Sequence, residues 1–210
     1  VDLIGLGNLN DVGGPTDVRI GSLAILGPSG ANGVGNVLLS DRNTYTGDTI
    51  IVRGSSLRFN IEPQATSGPL GTPGTGTVHA YGVLRAEGSG TFKNAADTGA
   101  AYPIVLHPGS ELRLQDVDGT PGSNTSDRWH DNVPVPLNGS LLTVQTFNNA
   151  GVVGTETVGA TTFERGSRIQ LSTQSTSRLT LTLQSLSRTD KGTLMLIPSN
   201  TAAQQSQRQT

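Results

Sequence analysis

The amino-acid sequence predicts an all-β protein, a parallel β-helix (β-solenoid) of about seven stacked coils. Three observations point to it. A glycine-led unit returns at nearly constant spacing. Each unit alternates apolar and polar side chains. The composition is rich in glycine and poor in aromatics, which suits many short strands around a narrow core.

The units open at Gly21 (GSLAIL), Gly54 (GSSLRF), Gly82 (GVLRAE), Gly109 (GSELRL), Gly139 (GSLLTV), Gly166 (GSRIQL) and Gly192 (GTLMLI). Successive spacings are 33, 28, 27, 30, 27 and 26 residues. Self-similarity at a period of about 20 to 50 residues marks a solenoid or an array. The pairs Leu57 and Phe59, Leu112 and Leu114, Leu142 and Val144, Ile169 and Leu171, Met195 and Ile197 are each two apart. In a strand such pairs share one face, while Arg58, Arg113, Thr143 and Gln170 take the other. Helical solenoids are excluded, since no unit sustains a 3.6-residue apolar period. Each unit therefore predicts one coil of 26–30 residues with two or three strands.

The stretch Asn43 to Phe59, NTYTGDTIIVRGSSLRF, shows the plan of a unit. Thr44 to Asp48 predicts a turn, Thr49 to Val52 a strand, Gly54-Ser55 a corner, and Leu57 with Phe59 the next face. Glycine suits the corner because it enters positive φ without a Cβ penalty. Gln64–Thr77 and Asp116–Val133, rich in Gly, Pro, Ser and Asn, predict loops bulging from the rod. Residues 1–200 read as one elongated domain, and 201–210 as a polar tail.

Bulk composition narrows the function classes. Of the 210 residues, 33% are hydrophobic and 4% aromatic, and glycine contributes 28. A thick globular centre is not expected from these numbers; small aliphatics along an axis are. The net charge is −2 and the pI 5.9, with no Lys/Arg run, so no nucleic-acid partner is expected. There is no cysteine, hence no disulfide and no thiolate metal site. No apolar run approaches the ~18 residues of a membrane-crossing helix. The chain starts at Val1 and reads as a processed chain or a segment of a longer one.

Asn43, Thr44, Tyr45, Thr46, Gly47 and Thr49, followed by a β-branched run and Gly-Ser, resemble the autotransporter-associated β-strand repeat. Asp48 stands where that pattern has a second glycine, and Ser56 is an added residue before Leu57. Looser similarities follow at Pro136–Gly139, Thr155–Ala160 and Leu181–Leu194. The resemblance implies a right-handed parallel β-helix of exported bacterial surface proteins. It brings no catalytic residues.

Candidate chemistry is sparse. His79 and His107 are one period apart, which puts them in adjacent coils; the third histidine is His130. Asp116-Val117-Asp118-Gly119 has part of a calcium-loop pattern but lacks its third Asp/Asn and later Glu. Asp118, Asp127, Trp129 and Asp131 make a candidate ligand loop, with Trp129 able either to stack on a sugar ring or to cap the loop against the rod. Asn124 and Asn138 fit the N-glycosylation pattern. No catalytic residue, cofactor site or metal site is assigned, and the chain is not expected to be an enzyme. Neither end carries an amphipathic capping helix, and open coil ends pair readily. The expected role is therefore a structural extracellular protein that self-associates end to end into a filament, sheath or surface layer. The alternative is an adhesin or passenger domain that binds glycans or surfaces through its loops. A polysaccharide-active β-helix enzyme using the acidic loop is the third reading.

Overall fold

A computed structural model describes residues 23–25, 35–115, 128–146, 153–173 and 177–198. Among them are fourteen strands and no helix. The strands run β1 Leu23–Ile25, β2 Gly35–Leu39, β3 Thr49–Ile51, β4 Ser55–Phe59, β5 Val78–Ala80, β6 Val83–Ala86 and β7 Ile104–Leu106, then β8 Glu111–Leu114, β9 Val135–Asn138, β10 Leu141–Gln145, β11 Val153–Glu164, β12 Gly166–Ser172, β13 Arg178–Arg188 and β14 Thr193–Ile197. All strand pairs are parallel. The result is a β-solenoid of about five turns. One face is a seven-stranded sheet, β2-β4-β6-β8-β10-β12-β14; the others are β1-β3-β5-β7 and β9-β11-β13.

The core is a set of ladders running across the coils. Val37, Leu57, Leu84, Leu112, Leu142, Ile169 and Leu196 align rung on rung. The four leucines from Leu57 to Leu142 are fully buried. The adjacent inward ladder is Leu39, Phe59, Ala86, Leu114, Val144 and Leu171. Ala86 beside Phe59 leaves room for Phe92, whose ring meets Phe59 edge-on at 5.0 Å. Phe92 in turn packs against Trp129 at 5.3 Å. Large and small residues thus interdigitate, as a narrow core requires.

Six of the glycine-led units lead into successive strands of the seven-stranded sheet. Gly54, Gly109 and Gly139 take the positive φ expected of corners, at 79°, 84° and 64°. Gly82 is needed for another reason: a Cβ there would run into the carbonyl oxygens of Ser55 and Val52.

Two expectations are corrected. The unit at Gly21 does not supply a rung of the seven-stranded sheet. Leu23–Ile25 pairs with Thr49–Ile51 on another face, and Gly35–Leu39 is the rung beside β4. The outlying spacing of 33 compared positions that are not equivalent. In the last unit, the inward lane is Leu194 and Leu196, not Met195 and Ile197. Gly166 is in register with Thr193, one residue beyond Gly192, and a one-residue shift reverses every side chain.

The turn expected at Thr44 to Asp48 appears as a bend at Gly47, and the stretch is tied into the rod. Asn43 and Tyr45 are buried. The Asn43 backbone N–H donates to the Gly68 carbonyl and its side-chain amide to Pro69 O. The Tyr45 and Thr49 hydroxyls are bonded at 2.6 Å. Glycine-rich residues 64–77 fold back over them through Gly68 and Thr72, and buried Leu70 donates its N–H to the Tyr102 hydroxyl.

Prolines split the second face. N–H groups two residues apart point to the same strand edge, and proline has none. Pro134, just before β9, and Pro136, within it, therefore remove two successive donors from the same edge. β9 pairs with β11 on its other edge and does not pair with β7. An apolar crevice of about 150 Å³ marks this seam, with Tyr102, Ile104, Trp129 and Pro136 in its wall.

Candidate functional site

The expected ligand loop is divided. Asp116, Asp118, Asn124 and Asp127 lie outside the described residues. Its last residues lie against the rod. Arg128 is 1% exposed and Trp129 4%. The Arg128 guanidinium donates to the carbonyls of Gly88 and Gly90, both in the turn that follows β6. The backbone N–H groups of Arg128 and Trp129 donate to the two oxygens of Glu156, at 3.0 and 3.1 Å. The Trp129 indole N–H donates to Val133 O. Trp129 lines the seam crevice but is otherwise covered. Asp131 is exposed. Asn138 is half-buried at the end of β9, and its side-chain carbonyl oxygen has no accessible surface to speak of and accepts no hydrogen bond.

Glu156 was not singled out by the sequence. It falls at an inward position of β11, level with buried Val158, and is 1% exposed. A carboxylate is tolerated there because it receives the N–H groups of the incoming loop. Polar side chains at inward positions are a readable signal in a period-2 strand. Which partner satisfies them is not.

The outer surface of β3, β5 and β7 carries the most organised polar cluster. His79 lies opposite Val105, and Ala80 opposite Leu106, so His107 falls one residue past β7 beside Tyr81. His79, Tyr81, Val105 and His107 share one face by the two-residue period. The imidazoles meet at His79 Nδ1 and His107 Nε2, 3.4 Å apart. Tyr81 stacks on His107 with ring centroids 3.8 Å apart and planes within 8°. Asp48 Oδ2 lies 3.9 Å from His79 Nε2, and its other oxygen accepts the Thr77 N–H at 2.7 Å. Desolvation, and then the charge of neighbouring His79, hold the His107 imidazolium below the usual histidine range. The one-period spacing of His79 and His107 in the sequence thus corresponds to contact between coils. His130 stands apart, its Nδ1 accepting the Asn132 N–H.

Stacking also builds a charge lane that no single stretch contains. Arg58, Arg85 and Arg113 align on successive rungs of the seven-stranded sheet. Glu87 pairs with Arg58 at 3.4 Å and with Arg85. Glu111 holds Arg113 through two contacts, at 2.8 and 3.1 Å, and accepts the Thr143 hydroxyl. Alternating acids keep this lane close to neutral, which does not favour an anion site.

Among the described residues, no three His, Cys, Asp or Glu side chains form a group able to hold a metal ion. No helix of the described chain is long and apolar enough to cross a membrane. Compared with family models, curated proteins and solved structures, the chain matches none.

Proposed function

We propose that this chain is a structural, extracellular β-solenoid that stacks end to end with further copies of itself into a filament, sheath or surface layer. The reading includes the finer architecture that the autotransporter-like repeat implies, seven coils wound right-handed. It assigns no catalysis.

The observation that carries it is the last described coil. Leu196 continues the ladder of buried leucines in register, yet it is 65% exposed. On β13, Leu179, Leu181 and Leu183 are only partly covered, and Leu186 is 45% exposed. In a stack, a coil's inward lane is covered by the coil above and the coil below. A further coil would cover Leu196 as its neighbours are covered. Strand addition at a parallel edge supplies backbone hydrogen bonds together with side-chain lanes. Contact between opposite ends of identical rods is heterologous and does not close, so it propagates into a filament.

Electron microscopy and light scattering of the full chain across a concentration range test this. Growing fibres are expected, and Leu196→Lys is expected to abolish them while leaving the circular dichroism unchanged. Short rods of one length at every concentration would overturn the assembly reading.

A further inference from the structure

We propose that His79 and His107 form a two-imidazole site for a borderline divalent cation of the zinc, copper or nickel class, on the lateral face of the rod. The site does not depend on end-to-end assembly.

Geometry is the first support. The facing nitrogens are 3.4 Å apart. Two metal–nitrogen bonds of about 2.1 Å spanning that gap meet at about 108°, the tetrahedral angle. A modest turn of each ring brings both lone pairs onto one point. The nitrogens involved are Nδ1 of one ring and Nε2 of the other, so each imidazole keeps its remaining N–H directed away and can ligate in its neutral form.

The surroundings are the second support. Metal-bound imidazoles commonly direct their other N–H to a carboxylate, which orients the ring. Asp48 lies on that side of His79, 3.9 Å from Nε2 and so beyond direct hydrogen-bond distance, and is itself held by the Thr77 N–H. Tyr81 lies flat on His107 and restricts its rotation. The backbone fixes the spacing: His79 is in β5, and His107, one residue past β7, donates its backbone N–H to the Ala80 carbonyl at 2.9 Å.

The ligand set decides which cation fits. Imidazole favours zinc, copper and nickel over magnesium and calcium, which take oxygen ligands. The His79 side chain is 31% exposed, so water reaches the outer coordination positions. With two protein ligands the ion exchanges readily, unlike one in a closed structural site.

Equilibrium dialysis of the full chain against zinc and nickel chloride is the test. One saturable equivalent per chain is expected. His79→Ala and His107→Ala each remove it, His130→Ala leaves it unchanged, and Asp48→Asn weakens it about tenfold. Nitrogen-15 NMR of the unsubstituted protein needs no variant: zinc is expected to move the His79 and His107 ring signals and not those of His130. Absence of saturable binding, binding by His79→Ala or His107→Ala as tight as that of the unsubstituted chain, or full competition by calcium would overturn the proposal.

Discussion

The middle coils and the last coil are built from the same kind of lane, yet they differ in what covers them. Leu112 and Leu142 are fully buried, Ile169 is 3% exposed, and Leu196, on the same ladder, is 65% exposed. The side chains are alike in size and polarity. What changes along the ladder is the neighbour on the far side. Burial in a solenoid belongs to the interface between coils and not to the residue, so stability accumulates from one rung to the next.

The largest effect that would sharpen this comparison is at Glu156. It sits on β11, whose outer positions are as open as Val153, 64% exposed, while its own carboxylate is buried. Glu156→Ala would leave two buried backbone N–H groups and the Arg128 region without their acceptor. A loss of about 3–5 kcal/mol is expected in denaturant unfolding. A loss below about 1 kcal/mol would mean that the clasp contributes little beyond its neutral neighbours.

Next comes the ladder itself. Leu112→Ala is expected to cost about 3 kcal/mol, because the fully buried site between two coils cannot collapse around the cavity. Leu196→Ala is expected to change the stability of the isolated chain by less than about 0.5 kcal/mol. Equal costs at the two positions would break the comparison.

A third expectation concerns the opening coils. Burial pushes the Tyr45 phenol up to about 12, offset in part by its hydrogen bond to Thr49. Burial also raises Tyr102, against the lowering effect of the Leu70 N–H that its hydroxyl receives. A folded pKa above the unfolded value of 10 means that the stabilisation is complete below pH 10 and is lost as the pH rises toward 12. For Tyr45 the loss is about 3 kcal/mol, at 1.36 kcal/mol per pKa unit. Tyrosinate absorbance and circular dichroism are expected to change together in alkali. Tyrosinate from these residues in an intact fold would show that water reaches the opening coils as it reaches the last one.

The sequence by itself determined the class of fold, the period, and most of the inward lanes. Alternation of two and recurrence near 27 are local properties of the chain, and backbone pairing at a constant rise turns them into ladders. That logic also placed His79 against His107. It did not determine phase where a unit departs from Gly-Ser. At Gly21 the strand went to another face, and at Gly192 a one-residue difference put Leu194 and Leu196 inward in place of Met195 and Ile197. Only the tertiary structure decided that Tyr45 and Trp129 are buried, that Glu156 holds the chain entering at Arg128, and that Pro134 and Pro136 divide a sheet. The physical reason is common to all of these. Whether a side chain is covered, or a backbone group paired, depends on the coil beside it, and the identity of that neighbour is a long-range fact that period and composition do not contain.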